Sequence, residues 1–276
     1  MEQHSGMIII CFMNLKGGVG KTTLSTHVAC ALEELGIKVL FIDNDKQGNA
    51  SRFFQARTEA TLSEILDGSI VVEQAIQKTS YENIDIISAD MGLAAVNFDI
   101  MLSDKYKNRN QKFLLKEALE PIRTKYQFCI IDNPPDINTS VYNALMVANE
   151  VIFVTTPDCY ACDGMDLMYE QLRAAKRDRI AMDAGYNELI PIRRLHFRGC
   201  VLNKYTSGST QIFESLRKKI PTFSTTIRIT KTGTERLQEA AERGIPVQKL
   251  SPNCGFSRDF KHFMKELFYT EESRQV

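Results

Sequence analysis

Short apolar runs alternate along this chain with longer stretches whose apolar residues recur every three or four positions. "MIIICFMN" (7–14) is a continuous apolar run, the pattern of a strand buried on both faces. "KVLFID" (38–43), "NIDIIS" (83–88), "FCIID" (128–132), "EVIFVTT" (150–156) and "RGCVLN" (198–203) repeat it. Lys21 to Leu35 carries Leu24, Val28, Ala31, Leu32 and Leu35 at helical spacing, and Gly36 closes it. Further helical stretches are expected near Gln111–Lys125, Asp163–Ala175, Thr210–Lys218 and Thr234–Arg243, while Asp99–Asn110 reads as polar and irregular. This alternation predicts an α/β fold, a mostly parallel, twisted sheet with helices on both faces. No repeat or linker divides the chain, so residues 1–276 are expected to form a single domain with its core at about 7–268. In such sheets ligands gather at the carboxyl ends of the strands. That edge collects Asn14–Thr23, Asp43–Asn49, Asp132–Asp136, Pro157–Gly164 and Asn203–Ser209, which are also the most polar stretches.

The first of them, "NLKGGVGKTT" (14–23), resembles a phosphate loop but departs from G-x-x-x-x-G-K-[ST], because Leu15 holds the place of the first glycine. A second lysine, Lys16, follows it. A glycine-rich turn between strand and helix exposes successive N–H groups, and the helix N-terminus adds positive potential. Gly17, Gly18, Val19 and Gly20 would offer their backbone to phosphate oxygens, together with Thr23. Lys21 is placed to reach the β- and γ-phosphates, and the Thr22 hydroxyl to ligate Mg²⁺. The fold class is therefore a P-loop NTPase, with ATP and Mg²⁺ as cofactors. Mg²⁺ also needs a carboxylate, directly or through water, and Asp132 ends its strand in the right manner. Asp43 ends its strand likewise, and Asp45, two residues on, could orient or deprotonate an attacking water.

"KGGVGKTT", "FIDNDKQGNAS" and "YQFCIIDNPPDINTSVYNALMVANEVIFVTTP" together resemble the ParA family of partition ATPases, in order from about Ile8 to Phe263. The D-x-D-x-Q-G-N segment is the specific part, since MinD-type relatives share the loop without it. The resemblance implies that two ATP-bound subunits sandwich the nucleotide and that Lys16 crosses to the partner's phosphates. It implies catalytic roles for Lys16, Lys21, Asp45 and Asp132, an adenine-side position for Asn203, and slow ATP hydrolysis. It further implies non-specific DNA binding in the ATP state through Arg228, with Lys231, Lys218 and Lys219 as weaker candidates. A ParB-type centromere-binding partner would stimulate hydrolysis, so that plasmid or chromosomal DNA is segregated. Two positions depart from the family: Lys46 stands where proline is usual, and Asn133 where threonine is usual. With fifteen residues ahead of Lys16, no N-terminal helix-turn-helix domain is expected, as in the short, Soj-like members.

Composition adds less. At 276 residues, 43% hydrophobic and 25% charged, the chain reads as an ordinary globular protein. No apolar run nears the roughly 20 residues of a membrane span, and no signal peptide is evident, so a cytoplasmic, nucleoid-associated address is expected. The formal charge is zero, but residues 193–231 hold nine basic residues against one acid, Glu214, a local +8 that points to nucleic acid. Of seven cysteines, Cys159 and Cys162 form a C-x-x-C at the ligand edge. One such pair supplies two of the roughly four ligands a metal cluster needs, so a cluster-carrying ATPase is the weaker alternative. The other is a MinD-like membrane-cycling ATPase, for which the stripe Phe260, Phe263, Met264, Leu267 and Phe268 would be the membrane face; such stripes more often pack on their own domain.

Overall fold

Eight strands make one sheet in the computed structural model, which describes residues 6–57, 59–106, 110–158, 164–185 and 194–269. They are β1 (Ile8–Met13), β2 (Val39–Asp43), β3 (Gln77–Lys78), β4 (Ile84–Ile87), β5 (Phe128–Asp132), β6 (Glu150–Thr155), β7 (His196–Tyr205) and β8 (Thr222–Arg228). Their order is β3-β4-β2-β5-β1-β6-β7-β8. Every pairing is parallel except that of the two-residue edge strand β3. The register sets Asp132 beside both Phe12 and Asp43, so the ends of β1, β2 and β5 are level. The chain leaves β1 for β2 across β5, while β6 lies on the other flank, and this divergence opens a crevice at the end of β1.

The helices are α1 (Lys21–Glu33), α2 (Asn49–Phe53), α3 (Leu62–Asp67), α4 (Val72–Ala75), α5 (Gly92–Leu102) and α6 (Leu114–Leu119). They continue with α7 (Thr139–Val147), α8 (Met165–Gly185), α9 (Thr210–Lys219), α10 (Lys231–Arg243), α11 (Val247–Leu250) and α12 (Gly255–Tyr269). The six strands expected from apolar runs are present; β3 and β8 are additional. The expected helix at 111–125 is shorter, because Pro121 has no N–H to continue the ladder and the chain tightens into a 3₁₀ turn at Glu120–Ile122. The stretch expected to be irregular from Asp99 begins inside α5. That helix is apolar on every side, and Met91, Phe98, Met101 and Leu102, on it or at its start, are 64 to 69% exposed.

Alternate strand residues fill two separate cores. Ile9, Cys11, Met13, Ile131 and Phe153 face one, which is closed by α3, α5, α6, α7, α8 and α9. Ile10, Phe12, Phe41, Ile130 and Val154 face the other, closed by α1, α2 and α12. The apolar stripe of the last helix lies here: Phe260, Phe263 and Leu267 are buried, with Phe263 edge-on to Phe223 and Phe268 edge-on to Phe128. The stripe is therefore packed on its own sheet. Among the described residues no helix is long and apolar enough to cross a membrane.

Candidate functional site

The loop between β1 and α1 is held at both ends and from one side. Asn14 Nδ2 donates to the Val154 carbonyl of β6 at 2.6 Å, and Asn14 Oδ1 accepts from the Lys16 N–H at 2.8 Å. Gly18 and Gly20 adopt φ of +71° and +98°, conformations that side-chain-bearing residues rarely take. A Cβ on Gly20 would also stand 2.2 Å from Asn203 Nδ2, which donates to the Val19 carbonyl at 2.8 Å. The next residue, Lys204, donates to the Gly18 carbonyl at 2.7 Å, from a backbone with φ of +57°. Carbonyls that would point at a ligand are thus turned towards β7, leaving α1 to present its N-terminal N–H groups. Sequence reasoning missed Lys204; a lysine at a strand end on the ligand edge was the available signal.

Beneath the loop lies a charged corner. Thr22 Oγ1 donates to Asp132 Oδ2 at 2.6 Å, and Lys21 Nζ donates to the Lys16 carbonyl at 3.2 Å. Lys21 and Asp45 are buried and Asp132 is fully so. Burial, reinforced by the neighbouring Asp43 carboxylate, pushes Asp132 up to about 8. Burial likewise pulls the Lys21 ammonium down, against the attraction of Asp132 and Asp45. Asp43 is also raised by burial, to about 6, although its oxygens accept from the Ser51 N–H and hydroxyl at 2.7 Å each and from the Asp45 N–H at 3.1 Å. Those bonds occupy Asp43 as the organiser of the turn into α2, a position for a Mg²⁺ partner only at one remove. Asp45 Oδ1 in turn accepts from the Gln47 N–H at 2.9 Å. Asn133 joins Asn44 to the Phe12 carbonyl of β1, so the residue that departs from the family pattern ties three strand ends together.

Two buried oxygens in this corner, Asp132 Oδ1 and Asn44 Oδ1, have no hydrogen-bond partner. Buried acceptors without a donor are costly, and a hydrated cation is a group that relieves them. The hydroxyl of Thr22 beside a carboxylate is hard-oxygen chemistry of the kind Mg²⁺ takes. The residues fit the metal. Among the described residues no group of three or more His, Cys, Asp and Glu side chains gathers as a metal site; Cys159 and Cys162 lie outside the described residues.

The corner opens into a cleft of about 1280 Å³, lined among others by Gly17, Thr23, Asp45, Pro135, Asn203 and Arg228. Its floor includes His27, a neutral acceptor for the Val247 N–H at 3.1 Å, edge-on to Phe256 and Phe260 and held by burial at about 4. Lys16 stands outside the lining, its ammonium 2.6 Å from Asp158. Arg228 is the DNA-contacting candidate that lies at the cleft. Its guanidinium makes a bidentate pair with Asp259 of α12 at 2.7 to 3.1 Å, at the wall of the cleft, so its charge is matched within the fold. Lys218, Lys219 and Lys231 are exposed, the first two at the end of α9 and the third at the start of α10.

The raised carboxyl carries a prediction. Asp132 has its unfolded value near about 3.9, so its contribution to stability is complete below that pH and is lost as pH rises towards 8. The unfolded His27 loses its proton around pH 6.5 and opposes this slope up to about pH 7.5, above which it is neutral in both states and adds none. Without nucleotide, the unfolding midpoint should therefore fall between about pH 7 and 8, by about 1–3 °C per unit. Saturating Mg²⁺–ATP should flatten the curve, because it uses the ionised carboxylate. Scanning fluorimetry across that window checks it; a rising midpoint without nucleotide would contradict the assignment.

Residues 7–183 match the family described as "AAA domain". The chain is 29% identical to the chromosome partitioning protein ParA of Caulobacter vibrioides, over 97% of this chain and 96% of that protein. It is 28% identical to the sporulation initiation inhibitor protein Soj of Bacillus subtilis, over 94% and 97%. Among solved structures, a putative plasmid partition protein of Borrelia burgdorferi bound to AMPPNP superposes with a TM-score of 0.74, at 22% identity over 94% of this chain and 98% of that one.

Proposed function

The chain belongs to the ParA family of AAA-domain partition ATPases, and from that premise we propose that it dimerises around ATP, binds DNA without sequence preference in that state, and hydrolyses ATP slowly when a ParB-type partner engages it. Plasmid or chromosomal DNA would be its cargo and the nucleoid its address in the cytoplasm. The observation that carries this reading is the division of labour between two lysines on one loop. Lys21 is buried within its own cleft, whereas Lys16 has its backbone pinned at the rim and its ammonium outside. A cation that reaches phosphate only when a second protomer arrives makes the γ-phosphate the link between subunits, and its loss on hydrolysis the release.

Each residue has a part in this. The N–H groups from Gly17 to Thr23 would hold phosphate oxygens, with Lys21 on the β- and γ-phosphates. Thr22 would hold Mg²⁺, with Asp132 through water and Asp43 behind it; the metal, when bound, supplies positive charge to the phosphates. Asp45, on the cleft wall, would orient the attacking water and accept its proton. Asn203 would keep the loop closed on the adenine side. In the ATP dimer the exposed Lys218, Lys219 and Lys231 would contact DNA phosphates, for which charge and reach suffice. Arg228 would act there only after parting from Asp259.

One experiment tests the assembly. Lys16→Ala should bind ATP as a monomer but fail to dimerise with a non-hydrolysable analogue, and should lose DNA retention with it. Lys218→Glu with Lys219→Glu should leave dimerisation intact and lower the salt slope of DNA binding by about 2–4, through two lost and two repelling contacts. An unchanged dimer with full turnover in Lys16→Ala would end the reading.

A further inference from the structure

Lys16 has an acid of its own subunit waiting for it. Its N–H is fixed on Asn14 Oδ1 and its carbonyl accepts from Lys21 Nζ, so only the side chain is left to move. That side chain is not part of the cleft's lining, to which residues 17, 18 and 20–23 contribute. Its ammonium lies 2.6 Å from Asp158 Oδ2. The same oxygen accepts from Thr156 Oγ1 at 2.7 Å, and the Asp158 N–H donates to the Thr156 carbonyl at 2.9 Å. Asp158 and Asn14 both hang from the end of β6, one by chain continuity and one through the Val154 carbonyl. Acid and loop therefore share one rigid support, and the bond between them is built rather than met by chance. It is also made at the surface, with side-chain exposures of 46% for Lys16 and 30% for Asp158, so it can open at small cost.

We infer that Asp158 is a latch for Lys16: it keeps the ammonium on its own subunit and must release it before two subunits can close around nucleotide. The inference rests on the reading of Lys16 as the residue that crosses. A solvent-facing ion pair biases its closed state by up to about five-fold. A symmetric dimer opens two latches, so the dimer constant is lowered by up to about 25-fold. The device sets a threshold: protomers at low concentration stay apart even with ATP bound, and close where their concentration is high.

The test uses the full chain with Mg²⁺ and a non-hydrolysable ATP analogue. Asp158→Asn keeps the shape and removes the charge, and should tighten dimerisation in sedimentation by about 5- to 25-fold. In the nucleotide-free protein, amine labelling read by mass spectrometry should find Lys16 about three to five times more reactive in that variant than in the parent. Thr156→Val, which loosens the acid without touching the lysine, should shift both readouts the same way by less. Dimer constant and labelling rate within two-fold of the parent would overturn the latch. Lys16→Ala separates the two ideas: if it fails to dimerise while Asp158→Asn is unchanged, the latch alone falls. If Lys16→Ala dimerises normally, the crossing lysine falls and the latch with it.

Discussion

Lys21→Ala is expected to weaken ATP binding by about 100- to 10,000-fold and to leave no measurable turnover. Two charge-assisted contacts to phosphate oxygens are worth about 1.5–3 kcal/mol each, which supplies that factor. Lys21 is only 6% exposed as a residue, so its place is set by the fold around it. The protein itself should survive the change. Burial already disfavours this cation, and its hydrogen bond within the fold is a single long one to the Lys16 carbonyl. Without it Asp132 stays protonated to higher pH, because the cation that draws its proton away is gone. Calorimetric titration with ATP, alongside an unfolding curve, checks both halves. Retained micromolar binding would place the phosphates elsewhere.

Asp45→Ala is the second large effect and of the opposite kind. Turnover should fall by about 10²–10⁴-fold, the ordinary weight of a positioned proton acceptor, while ATP binding and dimerisation persist. Alanine also removes the acceptor of the Gln47 N–H, which shapes the turn towards α2. Asp45→Asn keeps that acceptor and should lose as much turnover, and the agreement of the two variants would assign the loss to the carboxylate rather than to the turn. Single-turnover hydrolysis with labelled ATP measures it; Asp45→Asn with parental rates would remove Asp45 from the chemistry.

The six strands β1, β2, β4, β5, β6 and β7 were legible because a strand buried on both faces is largely apolar along its length, and few other elements are. β8 was not, since "TFSTTIR" alternates threonine with Phe223 and Ile227 at the sheet's edge and shows no such run. α5 was obscured because it lacks a polar face, so no helical period stands out against its neighbours. In the site, Lys21, Thr22 and Asp132 could be read from local spacing and strand ends. Asn14 with Val154, Lys16 with Asp158, and Lys204 with Gly18 could not, because each joins residues 140 or more apart in sequence. Such pairs exist only through the strand order, which places β1 between β5 and β6 and which no single stretch of sequence carries. Arg228 illustrates the same limit from the other side: its basic context was visible, and Asp259, thirty-one residues on, was not.

The last helix has a bearing on how the protein comes into being. Phe260 and Phe263 complete the layer that α1 begins, against the sheet face carrying Ile10 and Phe12, so two segments far apart in the sequence wait for each other. On a ribosome the phosphate loop emerges long before the residues that seal its strand from water. Folding of this half is therefore completed only once α12 has emerged, and a nascent chain stalled short of residue 255 should be recognised by chaperones rather than by nucleotide.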